Sequence, residues 1–250
     1  MTKAVAPQET TDLVIRSDVP SGLRYSEYRQ HLRYDFAFSC AYCTTTESES
    51  LGVGFAIDHY EPQQARPDLI HDYKNLMYSC EKCNRYKSNR NPSVELRAKG
   101  YRFFRPDEDR YGDHFTRKNR LLEKKSNVGD YTIENCDLNR KGLQRIREVR
   151  ERLAACQQAI STTFAGIAKL KLDELSPTLR GRALKYLRDM EEVGKQVPQQ
   201  IDDFLREMAR SNLLDVDPDA ELRAKARKKK IAHLEGLVAG EWQQQAKRGR

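Results

Sequence analysis

The hydrophobic pattern of the chain changes character near residue 138. After that point, apolar residues recur at spacings of three and four, as on one face of an α-helix. The first such series consists of Leu143, Ile146, Val149, Leu153, Cys156 and Ile160. Ser176-Pro177 is an N-cap residue followed by a proline at the first helical position, so a further helix is expected there. Pro198 opens another predicted helix and Pro218–Val238 forms the last one, which makes the C-terminal part mainly α-helical.

In the first half of the chain, short apolar runs alternate with polar loops. Phe55-Ala56-Ile57 predicts a strand after a glycine-containing segment, and Asn75–Tyr78 predicts a second strand. Residues 81–90 suit a short helix that Asn91-Pro92 ends. The remaining predictions are a loose N-terminal arm with a short strand at Leu13-Val14-Ile15, a short helix within residues 23–38, a loop over residues 61–74 and a strand at Tyr101–Arg105.

Composition adds a basic charge and no membrane signal. The net charge of +8 fits either a solvated basic surface or a partner that carries phosphates. No run approaches the roughly 18 consecutive apolar residues of a transmembrane helix. The N-terminus lacks the charged and apolar regions of a secretory signal. We therefore expect a cytoplasmic protein with no membrane partner.

Four of the six cysteines form two CxxC pairs, Cys40 with Cys43 and Cys80 with Cys83. In a reducing cytoplasm, two such pairs favour a metal over disulfides, and the spacing suits a four-cysteine structural Zn²⁺ site. Four unrelated buried cysteines are the alternative. A redox site is disfavoured, because a thioredoxin-like motif uses one CxxC after a strand.

Polar residues between and after the cysteine pairs form a second constellation. Asp58-His59 ends the predicted strand in FAIDHYEP, Asn75 lies 16 residues after His59, and Asn84 follows Cys83 directly. In this order the sequence resembles the HNH endonuclease family, in the zinc-ribbon form in which two CxxC pairs bracket a ββα-metal element. The resemblance covers about residues 33–91, and asparagine at the third signature position makes it an HNN variant.

These residue types also suit phosphodiester hydrolysis. His59 can act as a general base near neutral pH, and Asp58 and Asn84 offer hard oxygen ligands for a catalytic Mg²⁺ or Mn²⁺ ion. Asp58 and His59 are adjacent on a strand, so a bend at its end is needed to bring both to one site. The resemblance implies that Asn75, a fourth catalytic-site residue, braces the loop and orients His59. Alternatives remain: Asn75 as a turn cap, and Asn84 as an ordinary helix residue.

Basic residues after the second cysteine pair are candidates for nucleic-acid binding. Residues 82–94 contain no acidic residue, and the four candidates are Lys82, Arg85, Lys87 and Arg90. Lys87 is the strongest of them, because it lies one helical turn after Asn84. A solvated helix face is the alternative. Neither His114 nor the basic run Arg223–Lys230 can be assigned a role from the sequence.

The predicted fold class is α+β: a small ββα-metal HNH module pinned by a four-cysteine zinc site, followed by a mainly α-helical C-terminal region. The predicted domains are an N-terminal arm over residues 1–32, the nuclease module over 33–120 and the helical region over 121–250. The expected function is a metal-dependent endonuclease acting on DNA. The alternative is a non-catalytic zinc-ribbon module that binds nucleic acid or protein.

The chain is also similar to HNH nucleases of bacterial anti-phage systems such as Septu. In those nucleases the HNH module is followed by an Arg-Phe-type strand, which Tyr101-Arg102-Phe103-Phe104 resembles, and by an LNR-containing helix, which Leu138-Asn139-Arg140 resembles. This resemblance implies an antiviral role and an ATPase or other sensor protein as a partner that docks on the helical region. A restriction or homing enzyme would share the same chemistry.

Overall fold

The computed structural model describes residues 14–50, 54–168, 174–192 and 219–236. The chain divides into two compact units. The first contains residues 1–148 and 215–250, and the second contains residues 149–214. The zinc and nuclease constellations both lie in the first unit. The domain boundaries drawn from the sequence stay predictions.

The first elements are a 3-10 helix at Tyr25–Tyr28 and helix α1 at Arg29–Asp35. This confirms the short helix expected within residues 23–38, and its residues Tyr28 and Leu32 are buried. Val14 and Ile15 form no strand, and Leu13 lies outside the described residues. The backbone N–H of Val14 instead donates to the Pro106 carbonyl at 2.9 Å.

The centre of the first unit is a two-stranded antiparallel sheet followed by a helix. Strand β1 spans Phe55–His59, strand β2 spans Leu76–Cys80, and helix α2 spans Glu81–Lys87. The register pairs Phe55 with Cys80 at one end of the sheet and His59 with Leu76 at the other. The predicted strands and helix are thus confirmed, although α2 ends three residues early. Ser88 there has a φ of 50°, a left-handed conformation that interrupts the helix.

The strand expected at Tyr101–Arg105 is wrong, because those residues belong to no strand. Phe103 and Phe104 are both buried, which alternation along a half-buried strand would not allow. The flanking elements are helix α3 at Val94–Ala98, helix α4 at Tyr111–His114, strands β3 at Phe115–Lys118 and β4 at Leu121–Lys124, and helix α5 at Asn127–Asn135. Strands β3 and β4 pair antiparallel as a hairpin.

Glycine is required at one position of helix α5. A Cβ added at Gly129 would lie 2.0 Å from the backbone carbonyl oxygen of His114. No side chain fits at that separation, because a backbone atom cannot move aside as a flexible side chain can. The absence of a side chain at this position therefore lets α5 pack directly against the end of α4.

Three long helices complete the described chain. Helix α6 spans Lys141–Ala168, α7 covers residues 177–192, and α8 spans Ala220–Gly236. They confirm the helices expected from the Leu143 series, from Ser176-Pro177 and from Pro218 onwards. The helix expected after Pro198 lies outside the described residues. Among the helices that the structure describes, none has the length and apolar character needed to cross a membrane.

The hydrophobic core of the first unit surrounds the β1-β2 sheet. Its fully buried large side chains include Tyr42, Tyr78, Tyr131, Phe103, Phe104, Leu32, Leu76 and Met77. The two strands and α2 therefore lie inside a shell of aromatic side chains supplied by segments before and after them. The architecture is α+β, with small two-stranded sheets and a helical C-terminal region, as predicted.

Candidate active site and metal centre

The four cysteines of the two CxxC pairs meet in one buried cluster. The sulfur atoms of Cys40, Cys43, Cys80 and Cys83 all lie within 4.8 Å of one another, and Cys43 Sγ is 3.8 Å from Cys80 Sγ. A tetrahedral zinc ion with bonds of about 2.3 Å places its sulfurs about 3.8 Å apart, so the cluster fits Zn²⁺ in donor type and size. The expected zinc-binding cluster is confirmed.

Arg140 is the charged neighbour of this cluster, and sequence reasoning did not assign it a role there. Its Nη2 lies 3.4 Å from Cys83 Sγ and 3.8 Å from Cys80 Sγ, and the side chain is buried. Burial alone would lower the pKa of Arg140, but the nearby sulfurs of Cys83, Cys43 and Cys80 raise it well above its usual value. The guanidinium therefore stays charged and offsets the negative charge of a thiolate site.

The Asp58 carboxylate is buried and is held by two side chains. The Tyr42 hydroxyl donates to Asp58 Oδ2 at 2.5 Å, and Lys87 Nζ lies 3.2 Å from Oδ1 and 3.1 Å from Oδ2. Burial, followed by the charge of Asp58, raises the Tyr42 pKa well above its usual value, so the phenol remains a donor. The carboxylate is thus fixed in orientation and paired with a cation.

The position of Lys87 corrects the prediction that it contacts the phosphate backbone. Its side chain is 0% exposed, and besides Asp58 its Nζ donates to the His59 carbonyl at 2.6 Å. A lysine in this position cannot reach a nucleic acid without leaving the core. The spacing of three residues places Lys87 on the same side of α2 as Asn84. In the fold, the Lys87 side chain points towards the sheet and not towards solvent.

His59 lies at the end of β1 and contacts the loop that follows. Its Nε2 is 3.0 Å from the Ile70 carbonyl oxygen. Because a carbonyl only accepts, Nε2 must carry the proton in the neutral imidazole, which leaves the lone pair on Nδ1. The Gln63 amide nitrogen lies 3.1 Å from Nδ1 and 3.2 Å from Nε2, and only the contact with Nδ1 joins a donor to an acceptor. The hydrogen bond to Ile70 therefore selects the tautomer that a general base needs.

The surroundings of His59 also favour its neutral form. Burial lowers the pKa of His59 below its ordinary value of 6.5, against smaller opposing effects from the Ile70 carbonyl and Asp58. The edge-to-face contact with Tyr25, at 5.1 Å between ring centroids, contributes to that burial. His59 is consequently unprotonated, and able to accept a proton, at neutral pH.

Asn75 braces the loop between β1 and β2. Its Oδ1 accepts from the Glu61 N–H at 2.8 Å, and its Nδ2 donates to the carbonyls of Glu61 at 3.1 Å and Leu69 at 3.2 Å. Asn75 therefore ties both ends of the loop to the start of β2. Leu69 immediately precedes Ile70, whose carbonyl oxygen contacts His59. The hydrogen bonds of Asn75 therefore support the position of His59 through the loop backbone.

Asn84 lies in α2 and its side chain is half-buried. Among the hydrogen bonds of the described residues, none involves its side-chain amide. An amide oxygen is a suitable hard donor for Mg²⁺ or Mn²⁺, as is the Asp58 carboxylate. Asp58 and Asn84 therefore offer the donor atoms that a divalent ion prefers. One of these donors, the Asp58 carboxylate, is already paired with the cation Lys87.

The side chains of Asp58 and His59 have different partners, although the two residues are adjacent. The Asp58 side chain contacts Tyr42 and Lys87, whereas the His59 side chain contacts Ile70 and Gln63. This follows from the strand, since successive side chains leave it on opposite faces. The bend expected to join them covers residues 60 and 61, immediately after β1.

The other candidate nucleic-acid contacts differ in exposure. Arg85 is exposed on α2, whereas Lys82 is half-buried and burial lowers its pKa. Arg90 is half-buried after the end of α2, and its Nη1 donates to the Tyr86 carbonyl. Of these three, Arg85 is the best placed to meet a phosphate, and the nucleic-acid role of all three stays a prediction.

His114 lies outside the candidate active site. Its Nδ1 is 2.7 Å from Ser126 Oγ, and Ser126 is the N-cap of α5. The hydrogen bond joins α4 to the start of α5, close to Gly129. His114 is thus explained by packing of the fold.

The basic run of α8 divides between two faces. Lys230 Nζ lies 2.7 Å from both Asp130 and Glu134 of α5, and Arg227 lies over the Tyr86 ring at 4.6 Å. Lys225, Lys228 and Lys229 are exposed on the outer face. Part of the run therefore packs α8 against α5 and Tyr86, whereas Lys225, Lys228 and Lys229 face outwards.

Sequence reasoning missed several side chains that hold the site together. Tyr42 lies inside a CxxC pair and Gln63 lies in the proline-containing loop, so each looks in sequence like filler between motif residues. The position of Tyr42 between two zinc ligands was the available signal for it. Nothing in the local sequence indicated Gln63 or the distant Arg140.

The β1-β2-α2 element, with a base at a strand end and oxygen donors beside a four-cysteine cluster, has the make-up of a metal-dependent nuclease module. The family model for HNH endonuclease matches residues 40–90. This match supports the HNH family for the part of the chain that contains both CxxC pairs, β1, β2 and α2. No curated protein and no solved structure matched the chain.

Proposed function

We propose that this protein is a metal-dependent endonuclease that hydrolyses phosphodiester bonds in DNA. The observation that carries the proposal is the tautomer of His59, since the Ile70 carbonyl engages Nε2 and leaves the Nδ1 lone pair to accept a proton. His59 is 8% exposed, and the group that covers Nδ1 is the side chain of Gln63, which is exposed and can move aside for water or substrate.

The reaction begins with His59 Nδ1 taking a proton from a water that attacks the phosphorus. Asn75 keeps the loop carbonyl against Nε2, so the imidazole is oriented before substrate arrives. Asp58 and Asn84 would hold the divalent ion, which when bound stabilises charge on the scissile phosphate and on the leaving oxygen. Buried Lys87 supplies the positive charge beside Asp58 and has no direct part in the contact with substrate.

The substrate is held through its phosphates. Arg85 is the exposed cation on α2, and phosphate contacts of this kind give affinity without sequence specificity. We take DNA as the substrate on the resemblance of the motif order to HNH endonucleases. RNA of the same sequence is the comparison substrate in the test.

The test is a plasmid and oligonucleotide cleavage assay with Mg²⁺ or Mn²⁺, comparing wild type, His59→Ala and the exposed-histidine control His233→Ala. Loss of general-base catalysis reduces rates by about 10²–10⁴-fold, so we expect His59→Ala to fall in that range and His233→Ala to match wild type. Equal cleavage by wild type and His59→Ala would disprove the proposal.

A second candidate is a zinc-ribbon module that binds nucleic acid or protein without catalysis. The pairing of Asp58 with Lys87 favours it, because the carboxylate already has a cation. The same assay separates the two, since a binding module retains zinc and binds DNA in a mobility-shift experiment but yields no cleaved product with either metal.

We further propose a role as the effector nuclease of a bacterial anti-phage system, with an ATPase or other sensor protein docked on the helical region. The support is the sequence resemblance of Tyr101–Phe104 and Leu138–Arg140 to a strand and a helix of such nucleases, although here Tyr101–Phe104 forms no strand and Leu138–Arg140 lies between α5 and α6. Affinity purification from the native cell tests this role. Purification as a monomer with unregulated cleavage and no co-purifying protein would contradict it.

A further inference from the structure

The first CxxC pair is connected to the candidate catalytic carboxylate by one hydrogen bond. Tyr42 lies between Cys40 and Cys43, and its hydroxyl donates to Asp58 Oδ2 at 2.5 Å. Both side chains are buried, so water does not compete for the bond. The zinc-binding knuckle and the strand that carries Asp58 and His59 are therefore joined by this pair of side chains.

The position of Tyr42 is set by the knuckle. Cys40 and Cys43 on either side of it belong to the four-sulfur cluster, and the Ala41 N–H donates to the Tyr78 carbonyl of β2 at 2.8 Å. The Tyr42 ring packs against Phe103 at 6.1 Å between centroids. Because the backbone on both sides of Tyr42 and the Tyr42 ring are held in place, the hydroxyl has little freedom to move away from Asp58.

The second partner of Asp58 cannot perform this function alone. Lys87 contacts both carboxylate oxygens and also the His59 carbonyl. Its flexible side chain supplies a positive charge but constrains the orientation of the carboxylate only weakly. The Tyr42 hydroxyl meets one oxygen only, Oδ2. It is therefore the contact that distinguishes the two oxygens and sets the rotation of the carboxylate.

We propose that Tyr42 is a positioning residue that transmits the geometry of the zinc knuckle to Asp58 and preorganises this carboxylate as a ligand of the catalytic divalent ion. The inference rests on the proposed nuclease function and deepens it. It gives the zinc site a second task besides stabilising the fold. Hydrogen bonds to metal-binding carboxylates commonly contribute about 10–100-fold to metal affinity or activity, and that is the scale expected here.

The chain offers a closely matched control for this inference. Tyr78 is also buried and its hydroxyl also donates to a carboxylate oxygen at 2.5 Å, but its partner is Glu47, away from Asp58. Tyr42→Phe and Tyr78→Phe thus remove the same group from the same kind of bond. Only the first change is expected to alter the behaviour of the divalent ion.

The experiment measures Mn²⁺ affinity by electron paramagnetic resonance on zinc-loaded protein, together with the Mn²⁺ midpoint of DNA cleavage. We expect Tyr42→Phe to weaken both by about tenfold, with the maximal rate largely restored at saturating Mn²⁺. Tyr78→Phe should match wild type in both. Zinc content by elemental analysis and the melting temperature accompany each variant.

Two results would overturn the inference. One is a Tyr42→Phe protein with wild-type Mn²⁺ affinity and midpoint. The other is loss of zinc in Tyr42→Phe but not in Asp58→Ala, which would assign Tyr42 to the stability of the knuckle alone. If wild type itself neither binds Mn²⁺ nor cleaves DNA, the proposed function fails as a whole, so the two failures are distinguishable.

Discussion

The two ends of the β1-β2 sheet carry two candidate metal sites whose side chains are held in place in different ways. At the Cys80 end, four chemically identical sulfurs surround a volume that fits one ion. At the His59 end, Asp58 is paired with Lys87 and Tyr42, and His59 with Ile70 and Gln63. We therefore expect the first site to depend on its ion for stability, whereas protein contacts already hold Asp58 and His59 in place.

The largest expected effect concerns the zinc end. Cys83→Ser removes a ligand, and since zinc binding in small modules is coupled to folding by about 10–16 kcal/mol, the first unit should unfold and lose zinc. Thermal melting with elemental analysis measures this. Cys156→Ser, at an exposed cysteine outside the cluster, is the control and should be unchanged. A folded Cys83→Ser protein would argue against a structural metal.

At the His59 end, removing the internal cation should have a smaller effect that an ion can reverse. Lys87→Met leaves the Asp58 carboxylate buried with no cation beside it, which costs about 3–5 kcal/mol. Because a divalent ion can replace the lost charge, we expect Mg²⁺ to raise the melting temperature of Lys87→Met more than that of wild type. Lys118→Met, at an exposed lysine, is the control. An equal Mg²⁺ response in all three proteins would contradict the view that Lys87 and the ion share Asp58.

The pH dependence of cleavage should report His59. Its folded-state pKa lies below 6.5 because burial disfavours the charged form. The neutral imidazole is the active form, so the midpoint of the acid-side decline in kcat/KM should lie below pH 6.5. Rates at saturating metal across the acid range test this. A midpoint above pH 6.5 would mean that a different group, or a His59 in another environment, controls the reaction.

The smallest expected effect lies on the outer face of α2. Arg85→Ala should weaken DNA binding modestly and reduce the slope of log affinity against log salt by about one unit, as for loss of one phosphate contact. Arg110→Ala, also at an exposed arginine, serves as the matched control. Fluorescence anisotropy at several salt concentrations measures both. Equal slopes for the two variants would remove Arg85 from the binding surface.

Local chemistry was sufficient to predict the four-cysteine cluster, β1, β2, the start of α2 and the helices α6, α7 and α8. Each depends on spacing within a short segment, whether of cysteines, of apolar positions or of capping residues. The strand expected at Tyr101–Arg105 failed because Phe103 and Phe104 are buried by distant parts of the chain, which outweighs the local alternation. Lys87 was misassigned for a related reason, since helical spacing relates it to Asn84 but does not show which face meets the sheet.

The sequence by itself determined which side chains carry the chemistry: four thiols, an imidazole and oxygen donors in an order that short-range geometry can interpret. Only the tertiary structure decided the state of these groups. Tyr42 and Lys87, at sequence distances of 16 and 29 residues from Asp58, hold its carboxylate, and the carbonyl of Ile70 selects the tautomer of His59. Hydrogen bonds and charge pairs of this kind depend on which surfaces the core brings together, and no local pattern encodes that.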